Sequence, residues 1–124
     1  MKLYIPEIGD EIRLLSDWTF DLYNEDRNST MMEKVNDQRR MRAWGDDYGS
    51  IPCTVPAGVV LKIDRIYIRK GNKDYSSITF LWKGEALPAK IKTYSDGSTG
   101  RIPRQPIRFW AKLSDVNNIE FEKI

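Results

Sequence analysis

The stretch Val59-Val60-Leu61-Lys62-Ile63-Asp64-Arg65-Ile66-Tyr67-Ile68-Arg69-Lys70 decides the class of the fold. Val59, Leu61 and Ile63 fall on odd positions, whereas Ile66 and Ile68 fall on even ones. Alternation with period two is the signature of a strand with one buried face. The change of phase predicts a β-bulge at Asp64-Arg65, where one extra residue bends the strand and re-aims its second half. Small barrels need such bends to close. Lys70-Gly71-Asn72-Lys73-Asp74 then reads as a turn, and Ser77 to Trp82 as the returning strand with Ile78, Phe80 and Trp82 on one face.

Working outward, Pro52, Pro56 and Gly58 mark a turn before this hairpin. Glu11 to Leu15 reads as a first strand. Trp18, Phe20 and Leu22 alternate with polar neighbours, which suits either one bent strand or a tight hairpin. Residues 24–54 form an insertion that loses the alternation. Thr30 with Glu33 makes a capping box, predicting a short helix from about Met31 to Arg42, with Gly45 ending it. Its apolar face is thin, so it needs a surface to pack on. Downstream, Ala89 to Tyr94 is expected as a short edge strand and Ser95-Asp96-Gly97-Ser98-Thr99-Gly100-Arg101 as a loop. Ile107, Phe109, Ala111 and Leu113 point one way, with Arg108, Trp110 and Lys112 the other. One helical turn at Ser114 to Asn118 precedes a last strand, Ile119 to Lys123.

Composition narrows the function classes. A chain of 124 residues, 40% apolar and 31% charged, suits one domain with one core, its barrel strands drawn from 8–23 and 55–124. No stretch reaches the 18 or so apolar residues of a membrane span, and the first residues lack the apolar run of a signal peptide, so a cytoplasmic protein away from membranes is expected. Cys53 is the single cysteine and histidine is absent, which excludes a disulfide framework, a cysteine zinc site, serine triads and cysteine–histidine dyads. No cofactor and no enzymatic activity are expected. The net charge of +2 is unevenly spread: residues 1–30 carry three basic and seven acidic side chains, residues 51–112 twelve basic and four acidic. Such asymmetry speaks to association with charged partners.

The sequence Ile8-Gly9-Asp10-Glu11-Ile12-Arg13-Leu14, then Val55-Pro56-Ala57-Gly58 entering a long bent strand, then a helical turn at Asp115 to Asn118 before the final strand, resembles a Src-homology-3-like barrel. The resemblance implies an all-β, mainly antiparallel, partly open barrel, and leaves the insertion unexplained. The run Ile63 to Gly71, followed by Ser77-Ile78-Thr79-Phe80, is also similar in style to small phage and prophage proteins without known activity. Barrels of this kind host many functions, so the fold does not supply one.

Two surfaces stand out. Arg101, Arg104 and Arg108 interleaved with Trp110, together with Arg65, Tyr67 and Arg69 on the outward face of the bulged strand, suit phosphate contacts and base stacking. Lys62 extends this patch, and the glycine-rich loop before Arg101 can offer backbone amides to an anion. The bland alternative has Trp110 covered by the insertion and the cations paired with acids. The second surface is the insertion, with Met31, Met32, Val35 and Trp44 as contacts for a host protein, the mode of a phage-encoded inhibitor. The acidic run Asp17, Asp21, Glu25 and Asp26 has no spacing that fixes a catalytic role. The expected function is a non-catalytic binding module for a nucleotide or nucleic acid, with the protein-interaction module as the alternative. The edge strand at 89–94 offers a route to a homo-oligomer unless the insertion covers it.

Overall fold

The structure is a computed structural model, and it describes residues 5–36, 49–68 and 76–124. Its elements are β1 (Glu11–Leu14), β2 (Trp18–Tyr23), a 3-10 turn (Asp26–Asn28), α1 (Ser29–Asn36), β3 (Ser50–Val55), β4 (Val60–Tyr67), β5 (Ser77–Leu87), β6 (Lys90–Thr93), β7 (Thr99–Ile102), β8 (Gln105–Lys112), α2 (Leu113–Val116) and β9 (Phe121–Lys123). A five-stranded antiparallel sheet runs in the order β8-β5-β4-β1-β9, and β2-β3 and β6-β7 form separate two-stranded ribbons. The fold is all-β, a small and partly open barrel. No helix among the described residues is long and apolar enough to cross a membrane.

The β2-β3 ribbon closes one side of the core. Alternation along β2 buries Trp18, Phe20 and Leu22, and the rings of Trp18 and Phe20 meet Phe80 and Phe109 of the main sheet. The Phe20 and Phe109 rings stack at 5.2 Å between centroids, and Trp18 meets Phe80 edge-on at 5.8 Å, both within the favourable range for aromatic pairs. Leu14, Leu61, Ile63, Ile78 and Ile107 fill the space between.

The expected bulge is present: β4 pairs with β5 through Ile63↔Phe80 and then Arg65↔Thr79, so Asp64 is the extra residue. The three features that carried the resemblance are also in place. A turn at Glu7–Asp10 leads into β1, a turn at Pro56–Val59 leads into β4, and α2 precedes β9.

Four expectations needed correction. Ser50–Val55 is a strand paired with β2, with Pro52 opposite Asp21, whereas the sequence pattern places residues 50–54 in the insertion. Proline is tolerated there because, among the described residues, β3 pairs on one side only and the missing N–H faces away from β2. Helix α1 starts at Ser29, not Met31. Thr30 therefore lies inside it, and its hydroxyl bonds the Arg108 backbone, donating to O at 3.1 Å and accepting from N at 3.0 Å. The expected continuation of α1 to Arg42 lies outside the described residues. Thr99–Ile102 is a strand, so the supposed edge strand at 89–94 is instead half of a hairpin with its own partner. Finally, β5 runs on to Leu87, past the residue where it was expected to end.

Candidate functional site

The bulge decides what the outer face of the main sheet displays. Three rows cross β4, β5 and β8 there: Lys62–Leu81–Arg108, Arg65–Thr79–Trp110 and Tyr67–Ser77–Lys112. Strands in a sheet lie about 4.8 Å apart, so each row brings its outer members within roughly 10 Å of one another. If Asp64 took a regular place in the ladder instead of bulging, Arg65 and Tyr67 would be turned toward the core. The structure thus brings together Arg65, Tyr67, Arg108 and Trp110, as the alternation implied.

Their charges are not equally available. The Asp64 carboxylate accepts the Arg108 guanidinium at 3.1 Å, with the Asp64 side chain 26% exposed, so the bulge residue neutralises the cation beside it. Lys83 is paired with Glu11 at 2.5 Å and Lys34 with Glu85 at 3.2 Å. Lys62, Arg65, Arg101 and Arg104 are exposed, and the described residues give none of them an ion pair.

Beside this face lies a cleft of about 450 Å³ lined by Lys62, Trp82, Lys83, Gly84, Glu85 and Arg104, among others. Its origin is a second irregularity, where β5 and β8 lose register between Leu81 and Ala86. Gly84 there has φ +84°, a left-handed conformation that glycine adopts without the strain a side chain would bring. The sequence pattern, read as ending the strand at Trp82, misses this cleft; Gly84, a lone glycine among strand-forming residues, is the signal that could have found it.

Trp110 is half-buried. Tyr23, at the end of β2, stacks on it with centroids 5.2 Å apart and planes at 4°. The Arg27 guanidinium lies 5.8 Å from the Trp110 ring centroid, and Lys112 Nζ lies 4.8 Å from that of Tyr23. Glu25, hydrogen-bonded to Arg27, pushes the guanidinium pKa up and keeps that charge in place. Tyr23, the last residue of β2, and Arg27 of the 24–54 segment therefore flank Trp110, so the bland alternative of cover by the insertion holds in part. The backbone here is closed by Asn28, fully buried, whose Oδ1 accepts the Trp110 N–H at 2.8 Å while its Nδ2 donates to Tyr23 O at 3.0 Å.

The segment 95–101 is a hairpin turn and the start of a strand. Asp96 Oδ1 accepts from Ser98 N at 2.9 Å and from Ser98 Oγ at 2.5 Å, and these bonds hold its carboxyl below the usual range. A carboxylate already occupies the turn's donors, which removes the case for an anion cradle there. Arg101 stands on the β6-β7 hairpin opposite Ile91, whereas Arg104 lines the cleft.

Of the proposed protein-contact residues, Met31 and Met32 are buried in the core at 0% and 7% exposure, and Val35 is exposed. This corrects their reading as a docking surface: the face of α1 that carries them is spent on the barrel. Trp44 and Arg69 lie outside the described residues. In the acidic run, Asp17 Oδ1 holds a turn by accepting from Ala57 N at 2.8 Å. Burial pushes the Cys53 thiol up to about 11, which makes it a poor nucleophile near neutrality. Among the described residues no three His, Cys, Asp or Glu side chains gather as a metal site.

What the arrangement offers chemically is a set of donors, guanidinium and ammonium groups with no ion pair among the described residues, on a sheet face and around an open cleft. No family model, curated protein or solved structure matches the chain.

Proposed function

We propose that this protein is a non-catalytic binding module for a phosphate-bearing ligand, a nucleotide or a nucleic acid, which it holds on the outer face of β4, β5 and β8 and in the adjoining cleft. The observation that carries the reading is the set Lys62, Arg65 and Arg104: exposed, without an acidic partner among the described residues, and placed on one face and the rim of one cleft. Exposed cations contribute little to folding stability, whereas a phosphate gives them charge-assisted hydrogen bonds. Binding would sequester or position the ligand without turnover, as suits a cytoplasmic partner of nucleotides or nucleic acid.

A host protein docking on the insertion has less support, because two of its four named contacts are core residues. The test is fluorescence anisotropy with labelled nucleotides and oligonucleotides on wild type and on Lys62→Ala with Arg104→Ala. Affinity should fall by roughly tenfold or more while the melting temperature stays within about 2 °C. Equal affinity in the two proteins would sink the reading.

A further inference from the structure

The β6-β7 hairpin is the part of the fold that the barrel leaves least employed. Among the described residues its strands pair with each other alone. All four residues of β6 are exposed, and Ile91 is 76% exposed. A two-stranded hairpin is marginal by itself in water, yet this one is braced. Lys90 Nζ meets Glu33 Oε1 of α1 at 2.5 Å, which anchors the root. Tyr94 lies across Gly100 so closely that a Cβ there would come within 2.8 Å of the phenol oxygen. Lys92 Nζ sits 5.4 Å from the Tyr94 ring centroid.

The register sorts the hairpin into two different faces. Lys90↔Ile102 and Lys92↔Gly100 share the face that Tyr94 covers, while Ile91↔Arg101 and Thr93↔Thr99 share the other. That second face carries one guanidinium, two hydroxyls and one bare aliphatic side chain. These are groups that read base edges: a guanidinium forks onto guanine, hydroxyls bond several bases, and an apolar group meets the thymine methyl. Lys92, next to them on the strand, is long enough to reach a phosphate. Asp96 is the hairpin's single acid, and Ser98 takes up its carboxylate.

We propose that the β6-β7 hairpin is a DNA-reading ribbon that enters the major groove of a duplex, with Arg101, Ile91, Thr93 and Thr99 against the base edges and Lys92 toward a phosphate. The proposal rests on the phosphate-binding reading above and narrows it to double-stranded DNA. The B-form major groove, about 12 Å wide, admits a two-stranded ribbon, whereas the deep and narrow major groove of A-form RNA does not. Four-residue strands span about 13 Å, enough to enter a groove about 8.5 Å deep.

The experiment measures anisotropy of a labelled DNA duplex, the matching RNA duplex and the single DNA strand, from about 50 to 200 mM salt. Wild type should bind the DNA duplex best. Arg101→Ala should lose roughly tenfold on the duplex, and Lys92→Ala should lower the salt slope by about one. Ile91→Ser should weaken duplex binding with the salt slope unchanged, because an apolar contact releases no counterion. All three positions are exposed, so melting temperatures should hold. Duplex binding that is unchanged in all three variants overturns the ribbon; if Lys62→Ala with Arg104→Ala still weakens binding, the broader reading survives that failure. Equal binding of RNA duplex, DNA duplex and single strand also overturns it, since no groove is then being read. Wild type that binds neither nucleotides nor any of these polymers overturns both.

Discussion

Asn28 and Thr30 are polar residues doing the work of a strand. Among the described residues β8 lies at the end of the main sheet, with no neighbouring strand on its outer side. Asn28 Oδ1 takes the Trp110 N–H, and the Thr30 hydroxyl both takes the Arg108 N–H and donates to the Arg108 carbonyl. An uncovered sheet edge invites pairing with other chains, and side-chain hydrogen bonds from a covering segment remove that invitation. Asn28→Ala strips the acceptor from one buried N–H and the donor from the Tyr23 carbonyl, so it should cost about 2–4 kcal/mol in urea unfolding. A loss below about 0.5 kcal/mol would mean that water reaches both groups. Nothing in the sequence marked Asn28 for this, since a lone asparagine in a polar stretch has the composition of any loop. Thr30 was legible as a helix-start residue, but the tertiary contact with β8 competed with the cap and won.

At the level of elements, β4 was readable because its bulge leaves a phase change in the hydrophobic pattern. β3 and β7 were not, because Pro52 and Gly100 punctuate them as turns do, and only their partners β2 and β6 show them to be strands. The bulge has a chemical consequence that the pattern could not reveal. Asp64, the unpaired residue, points its carboxylate at Arg108 and mutes one cation of the face. Asp64→Asn keeps the shape and removes the charge. The pair is partly exposed, so stability should change by less than about 1 kcal/mol. If the ligand lies on this face, the freed Arg108 should tighten phosphate binding a few-fold and steepen the salt dependence by about one. Unchanged or weaker binding in this variant would place the ligand elsewhere on the molecule.

Across the whole molecule, the charge asymmetry along the chain becomes a spatial one only in part. Acids of the N-terminal third and of α1 pair with cations of the C-terminal two thirds, as Glu11 does with Lys83 and Glu33 with Lys90. Among the described residues, the cations left without an ion pair, Lys62, Arg65, Arg104, Lys92 and Arg101, lie on the sheet face, the cleft and the hairpin. The segment read as an inserted contact surface is what makes this division possible, because it is part of the core. Met31 and Met32 complete the barrel interior, Lys34 crosses to Glu85, and Glu33 fixes the root of the hairpin. Met31→Ala should therefore cost about 2–4 kcal/mol and lower the melting temperature by roughly 10 °C. Val35→Ala on the exposed side of the same helix should not destabilise the protein, since the side chain is exposed and alanine is the better helix former by about 0.5 kcal/mol. A helix that merely presented methionines to a partner would give the reverse, a stable Met31→Ala protein that has lost its partner, and thermal unfolding of the two variants side by side separates these cases.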